Sequence, residues 1–588
     1  MHDHGAQQRE LQPVAFDGLA GMLHVPTGGS PDVTVVICPP VGRDFIWTYR
    51  AMFEWADALA RAGYRVLRFD HRGHGDSLDV HPGEDQWQHW LDGVAAAGRF
   101  ARRSFGASKL VLAGLRIGAT LAAEAATTLD PDGLILLDPI ATGAGWLREL
   151  ERALAMSDQS NDVAGTLEVN GVWLSAAAIA SVRMVDLGKR AGPWPPTLVV
   201  SPSIPKPLRD SLGEKAEIIP FAGYNQLFKD SHLSAPPLET FEATRGWLKR
   251  QFPVTATVAA GQRLPSSLAG DGWMEERIDV GGGLRGVLTQ PPGKDRARQA
   301  VIIVNTSANP RTGDGNFPVK AARALARRGV ATLRVDFLGV GESDAHGEGT
   351  VHVYNTVRTA EVNQAASALA KLGFGDISAV GVCTGGYHAI QAACEGDGAI
   401  KRVLAFNSWI TWKPGTPLDR SAHAESMRSI YLRTPVKIRR ALTIRHRLIS
   451  EAKVAFARMR AQFWPEPEVR GVLRQLQRAA GQGTDFRLVA GEGDRSWQSL
   501  SKFGPGGRRV RNISGVIVRP VHGLDHPVVS LTSQRIALRE IGAFLGLPDS
   551  DSLELDPPAR PATGKQALPG LEPGWQRKRS AQRKVAGS

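Results

Sequence analysis

A repeat with a very long period constrains this chain more than any other feature. Ala60–Ser77 reads ARAGYRVLRFDHRGHGDS and Ala326–Ser343 reads ARRGVATLRVDFLGVGES, an offset of 266 residues. LVLAGLRIGAT (Leu110–Thr120) and ISAVGVCTGGY (Ile377–Tyr387) follow at an offset of 267. Repeats of about 20–50 residues build solenoids, whereas a period this long means a duplicated domain. A length of 588 residues leaves room for two large domains. The stretch Val254–Asp271, with its Pro, Gly, Ala and Ser residues, follows the helical ETFEATRGWLKRQF and marks the boundary. The expected organisation is a first domain over 1–253, a linker over 254–271, a second domain over 272–547 and a tail over 548–588.

Each copy alternates strands and helices. Val33–Cys38 and Ala300–Val304 are short apolar runs of the buried-strand type. Amphipathic helices are expected next (Tyr49–Ala62, Pro318–Arg328), then strands Tyr64–Phe69 and Ala331–Val335. Strands Leu110–Ala113 and Ile377–Val380 then run through a glycine-flanked turn into an Ala-rich helix. Such alternation predicts an α/β fold in each copy, a mostly parallel sheet covered on both faces.

The turn Gly381-Val382-Cys383-Thr384-Gly385 has the form G-x-nucleophile-x-G between strand and helix. A sharp, strained turn there lifts the central side chain above the sheet edge. A cysteine nucleophile needs a base, and the base an orienting acid, following in the order acid, then histidine. Strand Phe486–Ala490 leads to Asp494, with Glu492 as the alternative acid. Strand Val516–Arg519 leads into VHGLDHP, which offers His526 and, as the alternative, His522. His526 is preferred because an acidic residue precedes it and a terminal helix (Leu531–Leu545) follows. The predicted oxyanion donors are the backbone amides of Thr384 and of Ser307, in the loop after the first buried strand.

The first copy lacks this chemistry. Its turn, Gly114-Leu115-Arg116-Ile117-Gly118, carries an arginine that cannot lose its proton and attack. Gln226 aligns with His526, and strand Thr197–Val200 ends in Ser201-Pro202-Ser203 without a carboxylate. His71, His74 and His232 read as solvated loop residues, and Cys38 and Cys394 as inert buried thiols.

The net charge of +13 is local. Lys413–Arg478 holds 15 Lys and Arg against 5 Asp and Glu, and five more basic residues end the chain after Trp575. The remainder is near neutral, so nucleic-acid binding is not expected. Three cysteines exclude a disulfide scaffold and offer no zinc spacing; no metal or cofactor is required. The amino-terminal MHDHGAQQRE lacks a signal-peptide pattern, and no apolar run approaches a membrane span, so a cytoplasmic location is expected.

These residues resemble the α/β-hydrolases in both halves. They are similar, more narrowly, to the paired hydrolases associated with bacterial exosortase and exopolysaccharide gene clusters. The first half resembles one type in Pro39-Pro40, DHRGHGDS, Trp87 and Trp90, and the arginine turn GLRIG; the second resembles the other in LRVDFLGVGESD, the cysteine turn and GLDH. The resemblance implies a fusion of two partners and an ester or acyl hydrolase. Many enzymes of that fold use serine, so Cys383 departs from plain esterase chemistry. GVCTGG is also similar to the box of polyhydroxyalkanoate synthases, which transfer acyl groups from coenzyme A. Dienelactone hydrolases use cysteine on this fold as well.

A thiol, with a free pKa of ~8.5, ionises far more readily than serine, and an acyl-thioester stays reactive toward water, alcohols and amines. The expected activity is acyl-ester or thioester hydrolysis through Cys383, His526 and Asp494, with acyl transfer and non-catalytic ligand binding as alternatives. Between 409 and 484 the second copy carries a basic helical insertion, read as a lid that attracts an anionic acylated or lipid-linked substrate or contacts an anionic membrane surface. The tail is Pro-rich, ends basic and is expected to be disordered.

Overall fold

A computed structural model describes residues 9–26, 30–105, 109–156, 165–254, 257–258, 264–293, 298–345, 357–411, 467–548 and 553–555. Two large sheets dominate it. The first runs in the order Arg9–Phe16, Leu19–Pro26, Arg65–Phe69, Val33–Cys38, Lys109–Leu115, Gly133–Leu137, Thr197–Val200, Ala216–Ile219. The second runs Ser267–Gly270, Trp273–Gly281, Leu284–Gln290, Ala331–Asp336, Gln299–Val304, Asp376–Val382, Ile400–Phe406, Asp485–Gly491, Val516–Val521. Apart from the extra edge strand Ser267–Gly270 the two orders correspond strand for strand. In each, an antiparallel hairpin leads into six parallel strands.

The parallel strands are apolar almost throughout because both faces are covered: Val33–Cys38 and Gly133–Leu137 are buried at every position. In the first half, helices Gln86–Phe105 and Ile117–Leu129 pack on one face, and Gly42–Arg61 and Leu238–Gln251 on the other. In the second half, Thr359–Lys371, Thr384–Glu395 and Pro467–Gly481 cover one face, and Phe317–Ala326 and Leu531–Leu545 the other. The Gly42–Arg61 helix begins seven residues earlier than its apolar period suggests. Phe45, Ile46 and Tyr49 form a small buried cluster that makes the added turns worthwhile.

The stretch 254–271 contributes Thr257–Val258, which pairs with Ser30–Pro31, and the edge strand Ser267–Gly270. Within the expected lid, residues 412–466 lie outside the described residues; the described helix Pro467–Gly481 buries Val469, Leu476 and Ala479. Within the expected tail, Leu553 and Leu555 are buried in the core beside the last helix, and residues 556–588 lie outside the described residues. Among the described residues, no helix is long and apolar enough to cross a membrane.

The repeated D-x-x-G-x-G-[D/E]-S motif does the same local work twice. Ser77 Oγ donates to Asp70 O at 2.5 Å and Ser343 Oγ to Asp336 O at 2.6 Å; Asp76 N–H and Glu342 N–H donate to the Asp70 and Asp336 carboxylates at 2.9 and 3.0 Å. The two motifs then meet. Arg334 Nη1 reaches Asp76 Oδ1 at 2.6 Å, while Arg68, the repeat-equivalent of Arg334, lies 3.9 Å from Glu342. Arg311 joins them, donating to Asp76 at 2.6 Å, Asp336 at 2.5 Å and Glu342 at 2.9 Å. Tyr49 Oη donates to Glu342 at 3.1 Å. The halves thus bury a reciprocal charge network between equivalent surfaces, the geometry of a two-fold dimer inside one chain.

Burial raises the pKa of such acids and prevails at Asp336, but at Asp76 and Glu342 the arginines win. Asp76 is held far below its ordinary 3.8 by Arg311, Arg334 and Arg277, and Glu342 is lowered to about 2 by Arg277, Arg311 and Arg68. Burial also holds His71 at about 3, His74 at about 4 and His388 at about 3. All five groups bind protons better when unfolded, so the stability they give is complete above their ordinary values and lost as pH falls. Asp70, raised to about 6 by burial and the Asp76 charge, and Asp336, raised by burial, act oppositely, but only above their ordinary 3.8. The thermal midpoint, followed by circular dichroism, is expected to fall steeply below that value; a flat profile down to pH 3 would contradict the network.

Candidate active site

In the order Ala331–Asp336, Gln299–Val304, Asp376–Val382 the parallel strands are added first on one side of Gln299–Val304 and then on the other, so the strand order reverses there. Ligands of such sheets bind beyond the carboxyl ends of the strands at that point. Cys383 sits there, between strand Asp376–Val382 and helix Thr384–Glu395, with φ 53° and ψ −118°. This is a strained conformation for a side chain with a Cβ. Its flanking glycines are required by contact. A Cβ on Gly381 would lie 2.3 Å from Gly385 C, and one on Gly385 would lie 2.6 Å from Asn305 O. Cys383 N–H donates to Phe406 O at 2.8 Å, and Ser408 Oγ donates to Cys383 O at 2.8 Å, so both sides of the strained residue are tied down.

His526 lies beside the Cys383 thiol, close enough for the two groups to act on each other, and its Nδ1 lies 2.7 Å from Asp494 Oδ2. The second Asp494 oxygen accepts from Ser496 N–H at 2.7 Å and from the Ser496 hydroxyl. The His526 ring is 45% exposed and Asp494 is buried. Burial opposes a charge on the ring, yet His526 is held well above its ordinary 6.5 by the electrostatic influence of Cys383 and by its hydrogen bond to the Asp494 carboxylate. Burial likewise works against the Asp494 carboxylate, which the hydrogen bond and charge of His526 and the Ser496 donors nevertheless hold below 3.8. The alternatives Glu492 and His522 pair with each other at 3.1 Å on the surface, with 93% of the His522 side chain exposed.

The two predicted oxyanion residues touch each other: Ser307 N–H donates to Thr384 Oγ1 at 2.8 Å. Ser307 has φ 54°, and Thr306 Oγ1 donates to Val382 O at 3.1 Å, pinning the loop to the cysteine turn.

Sequence reasoning missed Asn407. Fully buried at the end of strand Ile400–Phe406, it donates through Nδ2 to Asp525 O at 2.8 Å and His526 O at 3.0 Å, and its Oδ1 accepts from Gly491 N–H at 2.8 Å. It joins the acid turn to the histidine loop. An asparagine following an apolar strand carries no signal of that role. Asn407→Ala would leave the Gly491 amide without its acceptor and is expected to cost about 1–3 kcal/mol in urea unfolding. It should also lower turnover; unchanged stability and turnover would refute the assignment.

Arg116 repeats the Cys383 backbone, with φ 54° and ψ −122°. Its guanidinium is bound by Asp44 at 3.3 Å, Asp138 at 3.2 Å and Glu149 at 2.5 Å, which overcome its burial and raise its pKa further. Gln226 is exposed. His71 is a correction to the sequence reading: it is fully buried, with Nε2 3.0 Å from Pro39 O and its ring edge-on to Phe69, because the glycine-rich loop folds inward under Trp90. His74, also read as solvated, packs edge-on against Trp90 and Phe45. Cys38 is fully buried, and its thiol is pushed far up by burial. Cys394 is partly buried, raised to about 12 by burial and the Glu395 charge.

Residues 29–177 match the model of a family described as serine aminopeptidase, S33, and residues 300–434 that of the alpha/beta hydrolase fold family. The chain is an enzyme of the α/β-hydrolase class. Its two α/β-hydrolase domains stand in tandem. No curated protein matches it. Among solved structures it is similar to an α/β serine hydrolase without a lid from Xanthomonas campestris (16% identity, 42% of this chain, 97% of that one, TM-score 0.28). It is also similar to Est1E bound to ferulic acid from Butyrivibrio proteoclasticus (18%, 41%, 98%, 0.31) and a dienelactone hydrolase from Anabaena variabilis (13%, 47%, 98%, 0.31).

Proposed function

We propose that the second α/β-hydrolase domain cleaves an acyl ester or thioester through Cys383, with His526 as base and Asp494 orienting it. The observation that carries this reading is the strained cysteine beside a histidine that is itself 2.7 Å from a carboxylate with a buried side chain. His526 takes the thiol proton; the thiolate attacks the carbonyl carbon, and the oxyanion is met by the amides of Thr384 and Ser307. Since Ser307 N–H is engaged by Thr384 Oγ1, that hydroxyl turns aside as the oxyanion forms. His526 then returns the proton to the leaving alkoxide or thiolate. A water molecule, deprotonated by the same ring, releases the acid and the free thiol.

The substrate is an acylated small molecule or lipid-linked species carrying negative charge, drawn by the basic 409–484 insertion, which also serves any contact with an anionic membrane surface. Polysaccharide biosynthesis is the setting suggested by the family resemblance of both halves. The test is turnover of p-nitrophenyl butyrate and butyryl-coenzyme A by wild type and Cys383→Ala. Turnover abolished by the substitution supports the reading. Turnover retained would sink it, as would the absence of any turnover together with Cys383 alkylation by iodoacetamide that is indifferent to His526→Ala.

A further inference from the structure

The first domain carries Arg116 where the second has its nucleophile, but it reaches the two loops that build the second domain's site. Its short hairpin, Leu167–Val169 and Val172–Leu174, projects toward the last helix of the second domain. Glu168 Oε1 accepts from Leu531 N–H at 2.6 Å, at the first residue of helix Leu531–Leu545, five residues after His526. A carboxylate there satisfies an otherwise unpaired amide and complements the positive end of a 15-residue helix. At the hairpin tip Gly171 has φ 75°, and a Cβ on it would lie 3.2 Å from Gly315 N and 3.9 Å from Val529 Cγ2. The tip therefore abuts both the loop after Gln299–Val304 and the loop after His526. A second contact is independent of the hairpin: Ser231 Oγ donates to Asn309 Oδ1 at 2.5 Å. Asn309 closes the turn around Ser307, since its N–H donates to Thr306 O at 3.0 Å and its carbonyl accepts from Asn305 Nδ2 at 2.9 Å.

Both loops need such bracing. The histidine loop holds Val528 at φ 57° and the other loop holds Ser307 at φ 54°, conformations that persist when surrounding contacts enforce them. We propose that the first domain is a positioning subunit for the second domain's active site, with Glu168 holding the His526 loop and Ser231 the Ser307 loop. This rests on the reading of Cys383 and His526 given above. Glu168 and Ser231 are positioning residues that act through the loops.

The experiment compares full-length wild type, Glu168→Ala, Glu168→Gln and Ser231→Ala in p-nitrophenyl butyrate turnover and in iodoacetamide alkylation of Cys383 across pH. The side-chain oxygen of Gln keeps an acceptor for Leu531. Glu168→Ala is expected to lower kcat by about three- to tenfold with KM little changed, the size of one helix-terminus contact. It should also slow alkylation near neutral pH, while Glu168→Gln recovers most of both. Ser231→Ala should lower kcat without moving the alkylation profile, because its contact leads to the oxyanion loop. The inference is overturned if Glu168→Ala keeps the wild-type kcat and alkylation profile. It is equally overturned if Glu168→Gln is as slow as Glu168→Ala while both melt lower by the same amount, since that is a loss of fold. Cys383→Ala run alongside separates the two readings. If it retains turnover, the nucleophile assignment fails and the bracing with it; if it abolishes turnover while Glu168→Ala matches wild type, the bracing alone fails.

Discussion

Replacing His526 with alanine is expected to lower kcat for p-nitrophenyl butyrate by about 10²–10⁴-fold, the span of general acid–base catalysis by a positioned side chain. The loss should exceed that from His522→Ala, which removes a surface pair and is expected to leave turnover unchanged. Equal losses from the two substitutions would refute the assignment. Stability should respond as well. His526 binds its proton more tightly in the folded chain than its ordinary 6.5, so its contribution is complete below that value and disappears as pH rises through the raised folded value. Asp494 is held below its ordinary 3.8; its contribution is complete above that value and lost as pH falls. The difference in thermal midpoint between wild type and His526→Ala should thus be largest on the acid side of neutrality and shrink in alkali. Water reaches the half-exposed ring and keeps the effect modest.

The largest stability effect is expected at Asp76. Asp76→Asn removes a buried negative charge that meets Arg334 and Arg311 at 2.6 Å and Arg277 at 3.5 Å. Breaking one side of a buried ion pair costs about 3–5 kcal/mol, because the partner charge stays buried without compensation. Glu275 at 2.7 Å from Arg334, and Asp336 and Glu342 on Arg311, offset part of that loss. Urea unfolding measures it. Adding Arg334→Met to Asp76→Asn should recover part of the stability, since it removes the charge left stranded; strict additivity of the two single losses would show that the pair is not coupled. The position also tests the duplicated architecture, because Asp76 belongs to the first domain while its three arginine partners belong to the second.

Much of this was written locally in the chain. The duplicated order of strands, the strand–turn–helix context of Cys383 and the helix Leu531–Leu545 follow from short-range patterns: buried apolar runs, glycines where an added Cβ would come within 3 Å of neighbouring backbone, and one amphipathic period. The pairing of Asp494 with His526 was legible from order along the chain, since parallel strands deliver their following loops to one edge of the sheet. What tertiary structure decided is how side chains from distant segments share partners. Nothing in the sequence joins Arg311, Arg334, Asp76 and Glu342, and their shared burial exists because two equivalent motifs face one another. His71 reads as a loop histidine, and its burial follows from the inward fold of its glycine-rich loop beneath Trp90. Asn407 and Glu168 carry no motif at all. Their roles depend on amides 84 and 363 residues away, a separation that neither periodicity nor composition records and that packing alone brings within hydrogen-bond range.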